Sequence, residues 1–169
     1  GHNQGTAGGT AWGGWIKTFT VNGGTITQTA QLKHAAVQTS WHSLVQVDAN
    51  TYLLAYTDDS NDGWLKTFTI PADGSSITAV ASLEQDNVNG NDNSLVQLDA
   101  DTYVLAYSYG NPGSIKTFTV PADGSTITQV KQLNHDTYAS FGSLIAIDAN
   151  TVLLTYAGVD GDGFLKTFT

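Results

Sequence analysis

A short sequence, Lys-Thr-Phe-Thr, occurs four times in this chain of 169 residues, in copies about fifty residues apart. Three other motifs recur between these copies in a constant order. The four motifs begin at Lys17, Lys66, Lys116 and Lys166 (Lys-Thr-Phe-Thr), Ser43, Ser94 and Ser143 (Ser-Leu), Asp48, Asp99 and Asp148 (Asp-Ala-Asn/Asp-Thr), and Pro71 and Pro121 (Pro-Ala-Asp-Gly-Ser). Self-similarity at a constant period indicates a repeat architecture, in which each copy is one supersecondary unit.

Each copy contains four segments rich in Val, Ile, Thr, Tyr and Phe, separated by Gly, Asn and Asp, which is typical of short strands joined by turns. We name these strands A to D in chain order within a copy. The predicted strands are 43–47, 94–98 and 143–147 (A), 51–57, 102–108 and 151–157 (B), 15–21, 64–70, 114–120 and 164–169 (C), and 25–32, 76–83 and 126–133 (D).

Hydrophobicity differs between the strands of a copy. Strand B, such as Tyr-Leu-Leu-Ala-Tyr at 52–56, is apolar throughout, which predicts burial on both faces. Strand D alternates polar and apolar residues, which predicts an outer strand with one exposed face. We therefore expect strands A and B to be buried and strand D to face water.

The run from Ser94-Leu95-Val96-Gln97-Leu98-Asp99 to Gly113-Ser114-Ile115-Lys116-Thr117-Phe118-Thr119 resembles a repeat of bacterial tandem-repeat β-propeller proteins. The resemblance extends over nearly the whole chain from Trp15. It implies an all-β fold, a β-propeller built from four-stranded antiparallel blades. A β-trefoil, which also has three units of similar length, is the alternative fold. The resemblance says little about function, because propellers carry many activities.

The strand order predicts about three blades per chain, with incomplete blades at both ends. We divide a single repeat domain, 1–169, into a Gly-rich segment (1–14), a partial blade (15–42), two blades (43–93 and 94–142) and a partial blade (143–169). Two interpretations remain open. The chain is a piece of a longer array, or copies of it associate and complete each other's blades in a homo-oligomer.

Composition excludes some partners. The formal net charge is -9, with six Lys and Arg residues together, whereas nucleic-acid binding needs clustered basic residues. No apolar run is long enough for membrane insertion as a helix. The chain has no Cys, so a thiolate nucleophile and a cysteine metal site are also excluded.

Two sets of loops vary between the copies, the D–A loops (33–42, 84–93 and 134–142) and the B–C loops (58–63, 109–113 and 158–163). The A–B and C–D turns hardly vary. In a propeller the variable loops share one rim, where binding residues commonly lie on a rigid scaffold. Drift after duplication would also produce such variation. Aromatic rings and polar groups suited to a glycan or a protein ligand occur at His34, Trp41, His42, Trp64, Tyr109, Tyr138, Phe141 and Phe164.

The acidic B–C loops offer hard oxygen ligands, which calcium prefers. The candidates are Asp58, Asp59, Asn61, Asp62, Asp160 and Asp162. Neither loop has the spacing of an EF-hand, and Asp-Gly turn chemistry explains both loops equally well. The histidines do not have a zinc-site spacing, and we expect them on the surface. No other cofactor is indicated.

Trp15, Trp64 and Phe164 share one place at the start of strand C, where they are expected to wedge between blades or, less favoured, to stack on sugars. The recurring Lys is expected to lie on a solvated face or beside an Asp. The sequence has no nucleophile elbow and no phosphate loop. We expect a non-catalytic, lectin-like binding module, extracellular or at the cell surface. The alternative is a structural repeat that assembles through shared blades into rings or fibres.

Overall fold

The computed structural model describes residues 12–108 and 111–169. Within them lie thirteen strands, and no helix there is long and apolar enough to cross a membrane. The strands are β1 (Gly14–Asn22), β2 (Thr25–Ala35), β3 (Thr39–Asp48), β4 (Thr51–Asp58), β5 (Gly63–Thr69), β6 (Thr78–Asp86), β7 (Ser94–Gln97), β8 (Thr102–Tyr107), β9 (Gly113–Thr119), β10 (Thr128–Asp136), β11 (Ser140–Asp148), β12 (Thr151–Ala157) and β13 (Gly163–Phe168).

The strands form four antiparallel sheets, each of which joins strands that are consecutive in the chain. We call these sheets blade I (β1-β2), blade II (β3 to β6), blade III (β7 to β10) and blade IV (β11 to β13). In blades II and III the order is A-B-C-D from one edge to the other. Such four-stranded meanders are the blades of a β-propeller, so the predicted fold class is confirmed and the β-trefoil is not supported.

Strand boundaries differ from the predicted ones between strands D and A. Strand D continues to Ala35, Asp86 or Asp136, and strand A begins already at Thr39 in blade II and Ser140 in blade IV. Register shifts accompany these early starts, between Ser40 and Ser43 and between Ser140 and Ser143. A bulge lets a strand continue past residues that do not pair, so the irregular loop is shorter than the sequence indicates.

The core lies between neighbouring blades. Each of three buried clusters draws its side chains from two adjacent blades, as when Leu53 and Leu65 of blade II pack with Tyr103 and Phe118 of blade III. Strand B is buried on both faces in blades II and III, as predicted, with Leu53 at 0% and Leu54 at 5% exposure, whereas in blade IV one face is more open and Thr155 is exposed. This arrangement shields the apolar inner strands of each blade by its neighbour.

Strand A is less buried than we predicted. Leu44, Ile145 and Ile147 are each more than half exposed. The A strands of adjacent blades lie side by side, since β7 contacts both β3 and β11. Leu44 and Leu95 hold the same place in the repeat, but Leu95 packs between blades II and III at 4% exposure, whereas the described part of blade I has no strand A that could cover Leu44.

A serine on strand A links each blade to the next. The Ser43 hydroxyl accepts a hydrogen bond of 3.0 Å from the Leu95 backbone N–H, and Ser94 accepts one of 2.9 Å from Leu144. In the Ser94-Leu95 pair, the Leu95 N–H bonds to the preceding blade and the Ser94 hydroxyl bonds to the following blade. The motif therefore recurs because it joins blades.

The first threonine of Lys-Thr-Phe-Thr makes a second link. The Thr18 hydroxyl donates to the Gly74 carbonyl at 2.7 Å, and Thr67 donates to Gly124 at the same distance. Both glycines are in the left-handed region, at φ of +65° and +66°, in the Pro-Ala-Asp-Gly turn of the next blade. Turn and strand motifs thus recur together because they contact one another where blade I meets blade II and where blade II meets blade III.

Candidate functional site

The D–A and B–C loops meet at one end of the blades. The Gly90 N–H donates to the Asn61 carbonyl at 2.9 Å, and the Ser108 N–H donates to the Asn91 carbonyl at 2.9 Å. Each bond joins a D–A loop to the B–C loop or strand end beside it. The A–B and C–D turns lie at the opposite end. We call the first end the loop face; it is the face that sequence variation between copies singles out.

Three equivalent residues on the loop face share an uncommon backbone conformation. Trp41, Asp92 and Phe141 each stand two residues before the serine of strand A, and their φ angles are 52°, 52° and 53°. A bulky residue in the left-handed region is strained, and such strain concentrates at functional sites. In blades II and IV the bulge described above includes this residue. We call Trp41, Asp92 and Phe141 the rim cluster.

The rim cluster spans three blades. The rings of Trp41 and Phe141 lie 6.5 Å apart between centroids and are inclined at 59°. They are 45% and 74% exposed. Asp92 of the blade between them accepts a 2.9 Å hydrogen bond from the Phe141 N–H through Oδ2, and the Asn93 side chain donates to the Trp41 carbonyl. The result is two tilted, exposed rings beside a half-buried carboxylate.

The histidines are not all on the surface, contrary to our prediction. His34 lies on strand β2 and is only 6% exposed, because its ring packs over Gly14 and edge-on against Tyr56. Burial, then the nearby His42 and Lys66, lowers the pKa of His34 to about 4. His42 as a whole is exposed, and its Nε2 lies 2.9 Å from the Thr39 hydroxyl. Its ring is nevertheless partly shielded from water, and this desolvation lowers its pKa.

The aromatic residues at the start of strand C are cross-strand partners of strand B tyrosines. Phe164 stacks on Tyr156 at 5.3 Å, and Trp64 pairs with Tyr56. Phe164 is 42% exposed, whereas Trp64 is partly buried and packs against the buried cluster between blades I and II, so the predicted wedge between blades fits Trp64 better than Phe164. Trp15 is also half exposed. A residue in this place lies at the mouth of a junction, where one face of its ring stays in contact with solvent.

The remaining aromatic candidates are spread along the face. Tyr138 lies half-buried in the turn between β10 and β11. Tyr109 lies outside the described residues. Of the eight predicted binding residues, the structure brings together Trp41 with Phe141, and His34 with His42, whose rings are 5.9 Å apart. Their role in binding stays a prediction.

The six proposed calcium ligands lie in two separate B–C loops. In the first loop both oxygens of Asp58 are engaged: Oδ1 accepts from the backbone of Ser60 and Asp62, and Oδ2 accepts from the Trp64 indole at 2.9 Å. In the second loop, Gly158 donates to the Asp162 carbonyl. The described residues hold no group of three His, Cys, Asp or Glu suited to a metal. The calcium site stays a prediction.

Sequence reasoning missed Asp92, although the signal was available. Alignment of the copies places Asp92 in register with Trp41 and Phe141, two residues before the Ser-Leu motif. A search for aromatic residues alone passed over it. The copies must be compared position by position to see that one polar residue replaces an aromatic one between two blades.

Comparison with known proteins agrees with this architecture. The family model described as "Lactonase, 7-bladed beta-propeller" matches residues 5–142. No curated protein matches the chain. Three solved structures are similar to it at low sequence identity: Sqt1 of Saccharomyces cerevisiae (TM-score 0.58, 14% identity), a protein of unknown function from Dyadobacter fermentans (0.56, 14%) and a protein from Lactobacillus plantarum (0.54, 15%).

These alignments cover 89%, 86% and 90% of this chain but only 38%, 41% and 48% of the three structures. The chain therefore spans less than half the length of each structure. At such identities the likeness concerns the fold alone. The family model, by contrast, matches most of the sequence, including both complete blades. The chain belongs to the lactonase family of seven-bladed β-propellers.

Proposed function

We propose that this chain is a non-catalytic binding module, which holds a glycan on the rim cluster of its loop face. The observation that supports the proposal is the exposed pair of Trp41 and Phe141, whose rings lie 6.5 Å apart beside the carboxylate of Asp92. A ring stacks on the C–H face of a sugar, and a carboxylate accepts hydrogen bonds from its hydroxyls.

The strained backbone adds to this argument. A left-handed φ costs about 1 kcal/mol or more for a residue with a large side chain. The fold accepts Asp92 in the same place, so neither aromatic ring is needed there for the blade to form. Phe141 buries little surface in return, at 74% exposure, and Trp41 leaves nearly half of its surface in water, at 45% exposure. Aromatic rings that are costly for folding and exposed to water fit a role in binding.

A glycan array tests the proposal. We expect the chain to bind a subset of neutral or acidic glycans, and we expect Trp41→Ala and Phe141→Ala each to weaken that binding at least about tenfold. Phe19→Ala is the matched control, because Phe19 is an exposed aromatic residue, 55% exposed, on β1 away from the loop face. An array without binding, or binding that survives both loop-face substitutions, contradicts the proposal.

The absence of catalysis needs its own test, because the family name includes a lactonase activity. We expect no acceleration of hydrolysis when the chain is incubated with glucono-δ-lactone and followed by pH-stat titration. Hydrolysis that follows protein concentration, and that is lost on substitution of a loop-face carboxylate such as Asp92→Asn, would make the chain an enzyme.

A second candidate function is self-association, favoured by an apolar groove at the junction of blades III and IV. The groove has a volume of about 210 Å³ and lies beside Thr117, the equivalent of Thr18 and Thr67, which each hold a turn of the next blade. Its apolar lining comprises Leu98, Val104, Ile115, Leu133, Val152 and Phe168. We propose a second copy of the chain as its occupant.

Light scattering after size exclusion tests self-association. We expect an oligomer at micromolar concentration that Leu133→Lys converts to a monomer, because the new charge lies in the groove on a side chain that is 52% exposed. A monomer for the unsubstituted chain contradicts this second function and leaves the glycan-binding proposal unaffected.

A further inference from the structure

The junction between blades II and III and the junction between blades III and IV, called the second and third junctions, contain the same group of polar side chains. An aspartate at the end of strand D accepts a hydrogen bond from a strand B tyrosine of the next blade, and the lysine of Lys-Thr-Phe-Thr lies beside the same carboxylate. At the second junction the Tyr107 hydroxyl is 2.9 Å and Lys116 Nζ 3.5 Å from Asp86 Oδ2; at the third, Tyr156 is 2.5 Å and Lys166 2.9 Å from Asp136 Oδ2.

The first junction, between blades I and II, has the tyrosine and the lysine but lacks the aspartate. Strand register shows the equivalence: Ala35, Asp86 and Asp136 each pair with the glycine that begins the adjacent strand C. Tyr56 and Lys66 occupy the places of the other tyrosines and lysines. Ala35 therefore stands where the other two junctions have an aspartate, and its methyl group cannot accept a hydrogen bond.

Lys66 is consequently without an acidic partner. Its Nζ donates to the His34 carbonyl at 2.7 Å and lies 6.0 Å from the centre of the Tyr56 ring. Neither of the two ion pairs among the described residues includes Lys66. Burial lowers the pKa of Lys66 and that of Lys116, whereas the hydrogen bonds that Lys166 makes with Tyr156 and Asp136 raise the pKa of Lys166. Lys66 is half-buried, and a partly desolvated cation without a carboxylate favours an anion from outside the chain.

A cavity opens at this place. It has a volume of about 260 Å³, and Tyr56, Lys66, His34, Ala35 and Trp64 contribute to its lining. His34 is 6% exposed, yet neither of its ring nitrogens has a hydrogen-bond partner among the described residues. The equivalent residues of the other two junctions, Gln85 and His135, also have buried side-chain atoms without a partner in the described part of the chain, so the feature that distinguishes the first junction is the open cavity beside Tyr56 and Lys66.

Asp58 also lines the cavity and has the wrong charge for an anion. Its two oxygens are taken up by Ser60, Asp62 and the Trp64 indole, as described above. The carboxylate thereby orients the Trp64 ring at the cavity mouth, where the ring can cover an organic ligand. Asp58 is not ion-paired with Lys66 among the described residues, so the ammonium remains available.

We propose that the first blade junction binds a small organic carboxylate, whose carboxylate group takes the place that Asp86 and Asp136 occupy at the other two junctions. The Tyr56 hydroxyl and the Lys66 ammonium donate to the carboxylate oxygens. Trp64 covers the body of the ligand. This site does not depend on the glycan-binding function of the rim cluster.

Calorimetric titration with sodium D-glucuronate tests the proposal, with the neutral methyl ester of glucuronic acid as the matched ligand. We expect saturable binding of glucuronate that is at least about tenfold tighter than binding of the ester, because charge-assisted hydrogen bonds are the stronger ones. Saturable binding that does not distinguish acid from ester, or no saturable binding of glucuronate, overturns the proposal.

The decisive variant is Ala35→Asp, which supplies the first junction with the aspartate of the other two. It should abolish glucuronate binding without loss of thermal stability, because the new side chain occupies the position proposed for the carboxylate group of the ligand. Tyr56→Phe and Lys66→Met should each weaken binding about tenfold or more, whereas Lys17→Met, at the equivalent place of blade I, should not. Full binding by Ala35→Asp overturns the proposal, and this outcome can be read even if Lys66→Met fails to fold.

Discussion

The Thr67 hydroxyl lies 2.7 Å from the Gly124 carbonyl oxygen, and it joins strand C of blade II to the turn of blade III. The same hydroxyl accepts a hydrogen bond from the Ala81 N–H at 2.9 Å, across to strand D of its own blade. A single oxygen thus fastens two blades and two strands. Thr18 makes the same bond between blades I and II, so the Lys-Thr-Phe-Thr motif recurs at the places where it joins neighbouring blades.

Replacement of this hydroxyl should destabilise the fold. Thr67 is fully buried, so Thr67→Val leaves the Gly124 carbonyl and the Ala81 N–H without their partner while the shape is kept. We expect the free energy of unfolding to fall by about 1–3 kcal/mol, measured by urea denaturation. Thr20→Val is the control, because Thr20 is exposed and its single hydrogen bond is long, at 3.5 Å. Equal effects of the two substitutions would contradict the role given to Thr67.

Glycine at the start of strand C should be replaceable in one blade and not in another. A Cβ on Gly63 would lie 2.0 Å from Gln85 Nε2 and 2.9 Å from Gly90 Cα, whereas nothing lies within 4 Å of a Cβ on Gly163. We expect Gly63→Ala to cost about 1–3 kcal/mol, since the Gly90 backbone cannot move aside, and Gly163→Ala to cost nothing. Thermal unfolding of both variants measures the difference, and a stable Gly63→Ala variant would show that this close approach is absent.

Acid should destabilise the first junction through His34. Its folded-state pKa of about 4 lies below the unfolded value of 6.5, so the unfolded state takes up the proton first as the pH falls. The stability is fully present above pH 6.5 and is lost progressively down to about pH 4, by up to about 3 kcal/mol. His34→Gln introduces the residue found at position 85 and should flatten this part of the pH profile. An unchanged slope between pH 6.5 and 4 would refute the assignment.

Backbone strain at the rim cluster predicts a trade-off between stability and binding. Trp41 has a φ of 52°, a conformation that asparagine tolerates better than tryptophan. We expect Trp41→Asn to abolish glycan binding while thermal stability is unchanged or raised, by up to about 1 kcal/mol. A loss of more than about 1 kcal/mol would mean that the indole contributes to the fold.

The fold was predictable from sequence because a repeated motif makes an equivalent contact at more than one junction between blades. Ser94 and Thr67 recur for such contacts, and the apolar strand B predicts the buried centre of a blade. Pattern alone did not reveal that His34 is buried, because this depends on Gly14 opposite it rather than on neighbours in sequence. The exposed Leu44 likewise reflects the position of strand A in the row of blades.

The candidate sites were predictable only in part. The variable loops led to Trp41 and Phe141, but the left-handed backbone that they share with Asp92 is visible only in coordinates. The lack of an aspartate at Ala35 is recognised from the strand register, which aligns Ala35 with Asp86 and Asp136. Alanine by itself does not indicate a binding site. A missing group is recognised only when equivalent junctions are superposed residue by residue.

Glycan binding is proposed for the loop face, whereas the A–B and C–D turns at the opposite end of the blades have no proposed role in binding. Calorimetry with a glycan selected on the array tests this division most directly. We predict that Trp41→Ala and Phe141→Ala weaken binding at least about tenfold, and that Asn50→Ser and Asp101→Ser, in exposed A–B turns, leave the affinity unchanged. Loss of affinity in the turn variants, with full affinity in the loop-face variants, would contradict the account.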